Sequence, residues 1–105
     1  MARVMRVTEV KVQILKKNPP ILVVTAKGVV PTGGWTNIKL SRVVYVNPPA
    51  GGIQGFEFIG TPPSGPVTQV LTKVSASAQI PRIPRWLKGV RVRAARNSKT
   101  VRVRI

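Results

Sequence analysis

The chain has 105 residues, with 18 Lys+Arg against 2 Asp+Glu, no His and no Cys, and a formal net charge of +16. That inventory removes most enzyme chemistry. Glu9 and Glu57 are the only carboxylate side chains, and no imidazole or thiol exists to act as base, nucleophile or soft metal ligand.

A hydrophobic fraction of 43% separates the chain from disordered basic tails, which lack the apolar surface needed to offset chain entropy. At this mass a folded chain should expose about 5,800 Å², which fits one domain over 1–105 and not two. In the first stretch, Arg3, Arg6, Glu9, Lys11 and Lys16 interrupt any export-signal core, and no apolar run reaches the ~20 residues of a membrane helix, so a cytoplasmic location is favoured. Breaks rich in Pro, Gly and Asn then recur at even intervals, among them Asn18-Pro19-Pro20, Pro31-Thr32-Gly33-Gly34, Asn47-Pro48-Pro49 and Thr61-Pro62-Pro63. Between them the sequence alternates with period two, which predicts strands near 4–16, 21–30, 35–46, 53–60, 67–78, 87–95 and 100–105. Only 75–79 could hold a helical turn. The expected fold is all-β, an antiparallel two-sheet sandwich of about seven strands, immunoglobulin-like or related Greek key, with an OB-like barrel as the alternative.

Gly33-Gly34 and Gly51-Gly52 read as positive-φ turn residues, since neither is followed by Lys-Ser/Thr or by a helix that could bind phosphate. The run Gln54-Gly55-Phe56-Glu57-Phe58-Ile59 is similar to the Gly-Phe-x-Phe-Ile strand with which RRM and cold-shock domains stack on RNA bases. Gln54, however, stands where Lys or Arg belongs, Glu57 puts a negative charge between the rings, and Thr61 holds the closing aromatic position. Phe56 and Phe58 are therefore expected to face a core. Trp35 is expected to pack in the same way. Trp86, between Arg85 and Lys88, reads as a core plug with base stacking as the alternative.

The last hairpin carries the strongest functional signal. In 89–95 and 100–105 apolar residues alternate with arginines, so each strand has one apolar and one cationic face. An even loop pairs Ala94 with Val101, Val92 with Val103 and Val90 with Ile105, which predicts buried valines at 90, 92, 101 and 103. It also sets Arg93 opposite Arg102 and Arg91 opposite Arg104, like charges that an anion would relieve. Arg82, Arg85, Lys88, Arg91, Arg93, Arg96, Lys99, Arg102 and Arg104 are half of all the cations, and no acid follows Glu57. With Trp86 they form the candidate nucleic-acid site.

Ala26-Lys27-Gly28-Val29-Val30-Pro31-Thr32-Gly33-Gly34-Trp35-Thr36, followed by Pro48-Pro49-Ala50-Gly51-Gly52-Ile53 and Lys88-Gly89-Val90-Arg91-Val92, resembles small uncharacterised bacterial all-β proteins. The resemblance implies a β-sandwich and carries no activity. It also implies that the extreme charge belongs to this chain and not to the fold.

The sequence thus predicts a non-catalytic binding protein whose cationic face takes nucleic acid, DNA or RNA, through phosphates and without sequence preference. The alternative is a structural or self-assembling packaging protein that associates through edge strands, with a natural or engineered supercharged surface. A membrane surface is a less favoured polyanion, and no cofactor, metal or small-molecule substrate is expected.

Overall fold

Alternation of apolar and polar residues becomes strand nearly everywhere it occurs. The computed structural model describes residues 1–103 and contains β1 (Ala2–Arg3), β2 (Arg6–Leu15), β3 (Ile21–Val30), β4 (Thr36–Arg42), β5 (Ile53–Thr61), β6 (Thr72–Ile80), β7 (Gly89–Arg93) and β8 (Ser98–Arg102). Only a 3-10 turn at Ala50–Gly52 is helical among the described residues. Two sheets pack face to face, a three-stranded one in the order β2-β3-β6 and a five-stranded one built on β5. On one side β5 pairs with β4, and on the other with β7 along its first half and β1 beyond it. Outside β7 lies β8.

The core is the set of inward positions. Phe56, Phe58, Val90 and Val92 from the larger sheet meet Val7, Leu22, Val24, Ala26, Val30 and Ile80 from the smaller one, all essentially buried. Phe56 and Phe58 thus occupy the interior, as the altered RNA-binding motif predicts. Gly28 lets the Phe58 ring of the other layer lie against β3, because a Cβ there would press on that ring and strike the Arg6 carbonyl of neighbouring β2. The molecule measures 47 × 27 × 20 Å and exposes 6836 Å², above the compact expectation, because the loops between β4 and β5 and between β5 and β6 project from the ends.

The segment 75–79 is strand, as the 67–78 prediction has it, and not the helical turn it could hold, with Ala76 and Ala78 turned toward the core and Ser75, Ser77 and Gln79 away from it. Two strand expectations change. Strands β4 and β6 are shorter than 35–46 and 67–78, since the chain leaves the ladder after Arg42 and enters it only at Thr72. The pairing is not wholly antiparallel, because β5 and β7 run parallel. After β5 the chain descends through β6 in the other sheet, so the 81–88 loop returns it to the end where β5 began.

The register of the last hairpin also differs. Val90 pairs with Val101, Arg91 with Thr100, Val92 with Lys99 and Arg93 with Ser98. Ala94 N–H donates to the Asn97 carbonyl (2.8 Å), leaving a two-residue turn at Ala95 and Arg96. Asn97 fixes this choice. Its Oδ1 accepts from Val7 N–H (2.9 Å) and its Nδ2 donates to the Val7 carbonyl (2.8 Å), so its amide imitates a strand neighbour of β2. Ala95 and Arg96 N–H groups add bonds to the carbonyls of Val4 (2.8 Å) and Met5 (3.0 Å). The displacement from the expected register is even, so the faces survive: Val90, Val92 and Val103 are buried, Val101 is half-buried, and Arg91, Arg93 and Arg102 are exposed. Arg104 and Ile105 lie outside the described residues.

Candidate functional site

The outward positions of β5 are Ile53, Gly55, Glu57 and Ile59, and the strands beside them add Arg91 opposite Gly55, Arg93 opposite Glu57 and Arg3 opposite Ile59. Arg102 stands across from Gly89 on β8, and Lys39 across from Ile59 on β4. Among the described residues one carboxylate serves this face. Glu57 Oε2 is enclosed and lies 3.1 Å from Arg3 Nε, while Oε1 accepts from Arg3 Nη2 at 3.4 Å. Arg91 Nε donates to Thr100 Oγ1 (3.1 Å). Arg91, Arg93 and Arg102 have no ion-pair partner among the described residues.

This arrangement corrects the predicted arginine pairs. Thr100 and Ser98 occupy the positions opposite Arg91 and Arg93, so Arg93 does not face Arg102 directly; the expected pair of Arg91 with Arg104 involves a residue outside the described ones. Strand spacing puts Arg91 roughly 7 Å from Arg93 and roughly 8 Å from Arg102 at the backbone, inside a Debye length, so their fields still add.

A second cluster adjoins the first through Lys88. Lys88 and Arg102 border a notch of about 290 Å³ with Gly51 and Ile53. On its other side Lys88 borders a cleft of about 780 Å³ whose rim includes Arg82 and Arg85 and whose walls include Pro19, Pro20, Pro84 and Leu87. Lys88 is fixed there by its backbone, with N–H donating to the Gly52 carbonyl (2.8 Å) and carbonyl accepting from Val103 N–H (2.9 Å). Gly52 has φ +69, and a Cβ on it would strike the Trp86 carbonyl, so the turn that seats Lys88 requires glycine. Arg93, Arg91, Arg102, Lys88, Arg85 and Arg82 therefore make a band that runs across the face and over one end.

Three predicted members fall elsewhere. Arg96 occupies the hairpin turn beside the 4–7 segment, and Lys99 faces away from Arg91 because it pairs with inward-facing Val92. Trp86 is half-buried, packs against the core and meets the Tyr45 ring edge-on, with centroids 6.5 Å apart and planes at 87°. Sequence reasoning missed Arg3 and Lys39. Asn37, at φ 53, breaks the register between Thr36 and Lys39, so alternation counted through β4 gives Lys39 the wrong face. Tyr45 was also missed. Its hydroxyl accepts from Gly55 N–H (3.1 Å), over the one outward position of central β5 that has no side chain.

No protein-family model, curated protein or solved structure matches the chain. The physical layout is accordingly what bears on function.

Proposed function

We propose that this is a non-catalytic binding protein that holds the phosphate backbone of nucleic acid, without reading base sequence, along the band from Arg93 to Arg82. The observation that carries the reading is that, among the described residues, Arg91, Arg93 and Arg102 share one face with a single carboxylate, and that carboxylate is taken by Arg3. Guanidinium groups suit phosphate because their planar fork donates two parallel hydrogen bonds. The notch between Lys88 and Arg102 lets one phosphate meet two cations. Strand-borne cations fix position along a backbone and carry no base information.

Mobility shifts with single- and double-stranded DNA and RNA, and with heparin, across a salt series test this. Binding should weaken steeply as salt rises and differ little among sequences. Absence of binding at low salt, or a tight complex with one sequence at high salt, would overturn it.

Assembly through an edge strand is the second reading, and β6 favours it. Among the described residues it pairs only with β3, and Thr72–Ile80 carries one charge, Lys73. An antiparallel partner centred on Ala76 would set Lys73 against Gln79 and avoid a like-charge pair. A concentration-dependent dimer in light scattering, abolished by Ala76→Pro, would support that reading.

A further inference from the structure

The end of the sandwich where β2, β4 and β6 finish carries a feature that charge does not explain. In the 43–52 loop Val44 is 88% and Val46 is 100% exposed, yet the backbone around them is tied down. Val43 N–H donates to the Gly55 carbonyl (3.0 Å), and the Val43 carbonyl accepts from Nε2 of buried Gln54 (2.8 Å). Tyr45 is turned to the protein by its bond to Gly55 and its contact with Trp86, which leaves Val44 and Val46 in solvent on either side of it. Beyond them Pro48 and Pro49 restrict the chain, and Gly52 N–H closes the turn on the Pro49 carbonyl (3.1 Å). Two valines are thus held out in water by a braced loop.

The same end gathers Lys16 and Lys17 after β2, Arg42 at the end of β4, and Arg82, Arg85 and Lys88 after β6. The Lys88 bond to Gly52 and the cleft shared by Pro19, Pro20 and the 82–88 segment hold these loops together. Neither glutamate is there, since Glu9 lies in the first half of β2 and Glu57 on the face of β5. Nucleic acid would satisfy the cations and offer the valines no apolar phase. An anionic bilayer supplies both, with phosphate headgroups at the level of Lys and Arg and hydrocarbon beneath for short apolar tips. Tyr and Trp side chains behind such tips suit the interfacial layer.

We propose that this end docks on a membrane surface rich in anionic lipid, with Val44 and Val46 inserted among the acyl chains and the six cations on headgroups. Arg82, Arg85 and Lys88 also belong to the proposed nucleic-acid band, so the two ligands compete at this end, whereas Val44 and Val46 serve the membrane alone and Arg91, Arg93 and Arg102 take no part in docking.

Cosedimentation with phosphatidylcholine vesicles containing about one-third phosphatidylglycerol tests it. The double variant Val44→Ser, Val46→Ser keeps the net charge and should lower vesicle partitioning about tenfold or more, with its mobility shift on DNA unchanged. Because the chain has no cysteine, Val46→Cys can carry an environment-sensitive fluorophore. Its emission should shift to the blue and brighten on the vesicles, whereas the same dye at Ser77→Cys should stay aqueous. Equal vesicle binding by the wild type and the double variant, or an aqueous signal from position 46 on bound protein, would overturn the proposal. So would a dimer in light scattering that the double serine variant abolishes without change in vesicle binding, which would assign the valines to a protein contact.

Discussion

The outer faces of the two sheets each carry one glutamate, and they use it differently. On the three-stranded sheet Glu9 lies 3.6 Å from Lys11 and 3.7 Å from Lys27, so one acid bridges two cations, while Arg6 and Lys73 flank Val29 farther along the same face. On the five-stranded sheet Glu57 is committed to Arg3, while Arg91, Arg93 and Arg102 follow one another along β7 and β8 with no ion pair among the described residues. Nearly the same backbone pattern thus yields one face whose acid is shared between two cations and one whose acid is held by a single arginine. What separates them is the distribution of acids over strands, which net charge alone does not report.

The comparison depends on two layers held in fixed relation, and Phe58 lies between them. Phe58→Ala should cost about 3–5 kcal/mol in denaturant unfolding, because it opens a cavity where the ring meets Gly28. A loss under about 1 kcal/mol would mean that the layers are not packed as described.

Asn97 ties the hairpin of the cationic face to β2 of the other sheet. Asn97→Ala should destabilise by about 1–3 kcal/mol, since it removes both side-chain bonds to Val7 and strands a partly buried amide and carbonyl. It should also raise hydrogen exchange at Val7. Retention of full stability would show that the turn chemistry, and not Asn97, sets the hairpin register.

The glutamates sharpen the contrast with smaller effects. Glu57→Gln and Glu9→Gln each remove one acid; Glu9 is exposed enough that stability should change by less than about 1 kcal/mol, and Glu57, with Oε2 enclosed, should change it more than Glu9 does. Glu57→Gln frees Arg3 beside the proposed site and should tighten DNA binding at low salt by about threefold, more than Glu9→Gln does. The reverse order would move the binding surface to the other sheet.

Much of this was legible in the sequence, and the failures have physical causes. Alternation located the strands and placed Val90, Val92, Phe56 and Phe58 in the core, because a side-chain period of two is a property of the backbone itself. It could not give the hairpin register, which depends on Asn97 bonding to Val7, far away in the chain. Nor could it show that β7 runs parallel to β5, since direction follows from the path through β6. Of the candidate site, Arg91, Arg93, Arg102, Lys88, Arg85 and Arg82 come together as a band, whereas Arg96 and Lys99 are carried away by the turn and by strand parity. Arg3 was hidden because its neighbour on the face, Ile59, lies far along the chain, and Lys39 because the break at Asn37 upsets the parity of β4.

The central claim is that the cationic face acts as a site and not as a share of a diffuse field. Two triple variants decide it, Arg91→Gln, Arg93→Gln, Arg102→Gln on the five-stranded face and Lys11→Gln, Lys27→Gln, Lys73→Gln on the three-stranded face. Each loses three positive charges from a chain of net +16, so long-range attraction is matched and only clustering differs. Measured by mobility shift over a salt series, the arginine variant should lose about tenfold or more in affinity for duplex DNA and flatten the logarithmic salt slope by about 2 to 3, whereas the lysine variant should lose about threefold or less. Equal losses and equal slopes in the two variants would contradict the account.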